Sequence, residues 1–256
     1  MKAISRMKLA MVAVGACVLV FSGAQAEEEK KAAIDIRSYP GNTPRTEKGE
    51  ALKLKGNWRT GQKYYTAYCE ACHLPSGAGN RDGSIPQLAG QHQTVLIKQL
   101  ADIRSGVRYN PTMYPFARKL PGAQALADVA AYVGTLCFPL DSGKYEGADA
   151  ARQFAEGRQL YENKCAKCHQ PSGAGDKDTL YPVLAGQHNK YLLRQMTEVR
   201  DGKRVDVPAE MFEAIKSYDN AQLVAVAAYQ ASLKTPVSLM CRTPTDKARM
   251  LSLIHI

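Results

Sequence analysis

The pentapeptide Cys-x-x-Cys-His occurs twice, as Cys69-Glu70-Ala71-Cys72-His73 and as Cys165-Ala166-Lys167-Cys168-His169, 96 residues apart. Each copy sits in a longer repeated text. GQKYYTAYCEACHLPSGAG (Gly61 to Gly79) answers GRQLYENKCAKCHQPSGAG (Gly157 to Gly175), and IPQLAGQH (Ile85 to His92) answers YPVLAGQH (Tyr181 to His188). At the same offset IKQLADIRSGVR (Ile97 to Arg108) answers LRQMTEVRDGKR (Leu193 to Arg204). After small insertions LADVAAYVGTL (Leu126 to Leu136) answers LVAVAAYQASL (Leu223 to Leu233). The chain is a tandem duplication, and whatever one unit folds into must be formed twice.

The flanks divide from the repeats. Lys2, Arg6 and Lys8, the apolar run Leu9 to Phe21 and Ala24-Gln25-Ala26 read as a secretory signal peptide over 1–26, too short for a membrane span. Cys17 leaves a lipoprotein signal as the rival, although the apolar run continues past it. The mature protein is then expected in an oxidising compartment, soluble or peripheral to the membrane. Residues 27–56 read as a charged, flexible extension. Domain 1 is expected over 57–137, a Pro/Gly-bearing linker over 138–151, domain 2 over 152–241 and a tail over 242–256. Composition is that of a globular chain, 45% hydrophobic and 23% charged, which excludes collagen-like and disordered classes. The net charge of +10 suits an acidic partner or surface, and nucleic acid is not expected.

Each unit reads as helical. Tyr191, Leu192, Gln195, Met196 and Val199 keep a 3.6-residue period, and Gly202 follows where a C-terminal cap belongs. No alternating strand pattern occurs. Gly61 and Gly157 fall inside the first helix of each unit, where glycine costs ~1 kcal/mol relative to alanine. A cost repeated at matched positions predicts close approach to the terminal helix bearing Tyr132 or Tyr229.

Two thiols three positions apart on a helical turn can each form a thioether with one porphyrin, and the adjacent imidazole then lies under the iron. The motif therefore predicts two covalent haem c groups held by Cys69, Cys72, Cys165 and Cys168, with His73 and His169 as proximal iron ligands. A zinc site would need a second cysteine pair at finger or ribbon spacing. A redox Cys-x-x-Cys would need a βαβ setting. For the sixth iron position, Met113 in YNPTMYPFA and Met211 in VDVPAEMFEA follow the Arg-rich stretch and precede the terminal helix in each repeat. A methionine is often core filler, but a matched pair in Pro-containing loops reads as ligation. His92 and His188 are rival ligands or hold a structural role at a helix start or haem edge. Pro86 and Pro182 are candidates to offer a carbonyl to the proximal ring N–H. Arg104, Arg108, Arg200 and Arg204 either pair with haem propionates or are solvated. Cys137 and Cys241 remain, and read as a disulfide or as two unpaired thiols.

These residues together, with P-x-L-A-G-Q, R-x-G-x-R, the late methionine and A-A-Y in each repeat, resemble the dihaem cytochrome c4 family over about residues 57–235. The resemblance implies an all-α fold of two class I cytochrome c domains, each wrapped around one haem and related by a pseudo-twofold axis. It implies His/Met iron and periplasmic electron carriage, with no substrate chemistry of its own. The donor would be a quinol–cytochrome c reductase or a dehydrogenase, the acceptor a terminal oxidase such as the cbb3 type, or a reductase. The alternatives are a dihaem enzyme (a peroxidase or a thiosulfate-oxidising cytochrome) or a cytochrome subunit of a dehydrogenase.

Overall fold

The computed structural model describes residues 47–138 and 142–235. The expected signal peptide, residues 27–46, Cys241 and the tail lie outside the described residues. The first repeat contains α1 (Glu47–Ala51), α2 (Trp58–Tyr68), α3 (Glu70–His73), α4 (Gln93–Ser105), α5 (Tyr114–Ala117) and α6 (Ala123–Val133). The second contains α7 (Ala150–Lys164), α8 (Ala166–His169), α9 (Asn189–Arg200), α10 (Ala209–Ile215) and α11 (Asn220–Ser232). Among the described residues the only extended pairing is an isolated bridge between Asp176 and Tyr181, so the fold is all-α. None of the described helices is long and apolar enough to cross a membrane.

In each repeat the helix before the Cys-x-x-Cys-His motif crosses the last one, α2 on α6 and α7 on α11. The crossing depends on glycine. A Cβ added to Gly61 would overlap the Asp128 carbonyl and lie 3.0 Å from the Tyr132 Cβ; one on Gly157 would overlap the Ala225 carbonyl and lie 2.9 Å from the Tyr229 Cβ. The partner helix is the one the repeated glycine cost predicts. Beside each crossing a tyrosine pair closes the core, Tyr65 on Tyr132 at 5.2 Å and Tyr161 on the partly buried Tyr229 at 5.5 Å between ring centroids. The helix ends follow their caps. Asn57 accepts from the Arg59 and Thr60 amides to open α2, Gly106 closes α4 with φ +82°, and Asp219 with Gln222 forms a capping box on α11.

Residues 27–56 are not wholly a solvated extension. Glu47–Ala51 is a helix whose Lys48, Gly49 and Ala51 are buried against the first repeat. Two of its charges are paired: Arg104 donates to Glu47 at 2.8 Å, and Lys48 to Asp102 at 2.8 Å. The charged composition led us to expect a flexible segment, and here the pairing holds residues 47–51 against the first repeat. The linker is also packed at its start. Phe138 is 5% exposed, and its ring lies against both Gly90 and Gly186, where a Cβ would enter the ring. Both glycines have positive φ, +79° and +68°, and belong to the duplicated LAGQH segment.

Candidate functional site

The Cys-x-x-Cys-His turn directly follows α2 in the first repeat and α7 in the second. The chain then leaves the histidine through a residue with left-handed backbone, Leu74 (φ 64°) in the first repeat and Gln170 (φ 64°) in the second. Such a conformation costs a non-glycine residue on the order of 1–3 kcal/mol and persists only where its surroundings enforce it. The buried tyrosines supply that constraint. Tyr65 Oη donates to the Leu74 carbonyl at 2.7 Å, and Tyr161 Oη to the Gln170 carbonyl at 2.7 Å. These two positioning residues were missed by sequence reasoning, although their recurrence four residues before each first cysteine was visible.

His73 is 4% exposed and His169 7%. The Nδ1 atom of each lies 3.1 Å from a proline carbonyl, that of Pro86 and that of Pro182, as the spacing predicted. A carbonyl oxygen only accepts, so Nδ1 carries the proton and Nε2 keeps its lone pair. Burial lowers both imidazole pKa values, outweighing the opposing hydrogen bond to the proline carbonyl. Neutral rings with a fixed tautomer are what an iron ligand requires. Burial, then the neighbouring cysteine, pushes the Cys69 and Cys165 thiols up to about 12. A redox-active pair needs the reverse shift, toward a stable thiolate.

Cys69, Cys72, His73 and Met113 line one cavity of about 480 Å³. Cys165, Cys168, His169 and Met211 line a second, narrower one of about 130 Å³. The first is larger because it continues into the groove between the repeats, while in the second Met211 and Phe212 pack against the core. Gln99, Gln195 and Arg204 form part of both walls, so the two sites adjoin. The donor sets fit haem c: two thiols in thioether register, an oriented imidazole and a thioether side chain in each cavity.

The arginines divide by position. Arg104 donates to the carbonyls of Ala117, Arg118 and Leu120, and Arg200 to that of Tyr218; they pin the segments after α5 and α10. Arg108 and Arg204 face the inter-repeat groove. Arg108 donates to Gln99 and Gln195, both at 2.7 Å, and Arg204 donates to Gln195 at 2.8 Å. His92 and His188 line neither cavity. Each reaches across to the other repeat, with Nε2 2.8 Å from the Ala174 carbonyl and 2.8 Å from the Ala78 carbonyl respectively. Their role is in joining the repeats.

The family described as "Cytochrome c" matches residues 154–234, and that described as "Cytochrome C oxidase, cbb3-type, subunit III" matches residues 56–133. The chain is 31% identical to cytochrome c4 of Pseudomonas aeruginosa, over 64% of this chain and 82% of the relative. The chain belongs to the cytochrome c4 family. It is also 32% identical to a thiosulfate dehydrogenase electron acceptor of Stutzerimonas stutzeri, over 71% of this chain and 90% of the relative. Reduced cytochrome c4 from Pseudomonas stutzeri superposes with a TM-score of 0.60 at 27% identity, covering 70% of this chain and 100% of that one. Membership brings two covalently bound haem c groups, one per repeat, and the role of a dihaem electron carrier.

Proposed function

We propose that Cys69 and Cys72 hold the first haem and Cys165 and Cys168 the second, with His73/Met113 and His169/Met211 as the axial pairs. The bound groups supply one-electron Fe(III)/Fe(II) chemistry. The chain's own residues do the rest. Tyr65 and Tyr161 fix the exit from the attachment turn, Pro86 and Pro182 orient the imidazoles, and the apolar helices exclude water. Arg108, at the groove, is the arginine available to propionates, while Arg204 is held by Asp206. The observation that carries this reading is that four donors of the same types, at repeat-equivalent positions, line each of two adjoining cavities.

On this reading the protein is a periplasmic carrier and not an enzyme, because a filled sixth position leaves no iron site for substrate. Its donor is a quinol–cytochrome c reductase or a dehydrogenase, and its acceptor a terminal oxidase. The relative named as a thiosulfate dehydrogenase electron acceptor favours a dehydrogenase donor as the second reading. Visible spectroscopy of the exported protein tests the ligand set. Both haems should be low-spin, and Met113→His or Met211→His should each lower one reduction potential, since methionine ligation raises it. High-spin, CO-binding haem in the wild type would overturn the carrier reading.

A further inference from the structure

The two cavities differ at one buried position. Val133 on α6 lines the first, and its repeat equivalent on α11, Gln230, lines the second. Gln230 is 2% exposed, and its Oε1 has no hydrogen-bond partner among the described residues. An orphaned buried acceptor is destabilising, because it has lost water without gaining a partner. The fold does not require that cost, because valine fills the same place in the other repeat and is 1% exposed there. Rules of this kind are broken mainly at functional sites.

We propose that Gln230 is a potential-setting residue of the second haem site, lowering its reduction potential below what an apolar side chain there would give and so helping to make the two haems inequivalent. This rests on the haem assignment above. The oxidised iron centre carries one more positive charge than the reduced one. In a low-dielectric cavity an unpaired carbonyl oxygen stabilises the more positive state, and no competing donor neutralises its lone pairs. Polarity and burial around the site are recognised controls of haem potential. Val133 offers no such dipole to the first site.

The test is a spectroelectrochemical titration of the full dihaem protein in three forms: wild type, Gln230→Val and Gln230→Leu. The expected result is that one midpoint rises in both variants while the other stays in place. The rise should correspond to about a threefold change in the one-electron equilibrium, ~28 mV at ~59 mV per decade. The reciprocal Val133→Gln should lower the other midpoint; if it does not fold, the two Gln230 variants decide alone. Unchanged midpoints, a fall, or equal movement of both would overturn the proposal. High-spin haem in the wild type would instead overturn the ligand assignment, and the spectrum separates that failure from the first.

Discussion

Gln91 of the first repeat and Val183 of the second exchange two hydrogen bonds: Gln91 Nε2 donates to the Val183 carbonyl at 3.1 Å, and the Val183 amide donates to Gln91 Oε1 at 2.9 Å. The repeat-equivalent pair is inverted across the interface, with the Gln87 amide donating to Gln187 Oε1 at 3.0 Å and Gln187 Nε2 to the Gln87 carbonyl at 2.9 Å. One duplicated Gln-His dipeptide therefore satisfies the partner repeat's loop twice, in the manner of an isologous dimer interface.

That symmetry gives the first prediction. Gln91→Ala leaves both backbone groups of buried Val183 without their partner, and Gln187→Ala does the same to Gln87. Each orphaned group costs about 1–3 kcal/mol. The two single variants should lose similar amounts of stability in denaturant titrations, while the haem spectrum of each repeat is kept. A loss confined to one variant would show that the interface is not energetically symmetric.

The glycines at the helix crossings give the second. In an isolated helix Gly61→Ala or Gly157→Ala would gain up to ~1 kcal/mol of propensity. Here the new methyl meets a backbone carbonyl of α6 or α11, and overpacking of this kind costs about 1–3 kcal/mol. The clash wins because backbone, unlike a side-chain tip, cannot turn aside. Both variants should unfold at lower denaturant concentration than the wild type, and a stabilised Gly61→Ala would refute the crossing geometry.

Much of the fold and site was readable from the residues, and what was not has a common physical cause. The attachment motifs, the helical period, the crossing glycines and the proline carbonyls are local patterns repeated at a fixed offset. The roles of Gln91, His92, Gln187 and His188 are not local, because a polar side chain in a loop looks the same whether it meets water or another repeat. Residues 47–51 were included in a charged, flexible extension for the same reason: Glu47 and Lys48 reveal their pairing only when Arg104 and Asp102 are brought beside them. Phe138 seemed part of a linker because nothing near it in sequence shows that Gly90 and Gly186 leave room for a ring.

Cys137 lies in a disulfide. The partner lies outside the described residues. We propose Cys241, since the expected cleavage after Ala26 would remove Cys17. Non-reducing peptide mapping of exported protein should recover a Cys137–Cys241 linked pair. Cross-linking the ends of both repeats would add loop-closure stabilisation of about 2–4 kcal/mol. Alkylation of either thiol in unreduced mature protein would reject the pairing.

The last prediction concerns acid. Asp206 is fully buried in the second repeat, and Lys98 of the first repeat reaches it at 3.1 Å. Arg204 holds its other oxygen at 2.8 Å. Lys98 also pairs with Asp102 at 2.6 Å, which binds Lys48 of α1, so alternating charges run from α1 through α4 into the second repeat. Burial alone would raise the Asp206 pKa, but Arg204 and then Lys98 hold it far below the ordinary carboxylate range. A depressed folded-state pKa contributes stability that is fully present above the unfolded value, about 3.9, and is lost as pH falls below it. Wild-type unfolding free energy should thus decline steeply below about pH 4. Asp206→Asn strands Lys98 and Arg204 as unbalanced buried cations, a defect worth about 3–5 kcal/mol at neutral pH. The variant should be much weaker at pH 7, yet lose less on further acidification because this carboxylate is gone. Parallel denaturation of both proteins at pH 7, 4 and 3 checks this. Parallel curves, with the deficit unchanged at the lowest pH, would show that Asp206 is not the group whose protonation weakens the fold.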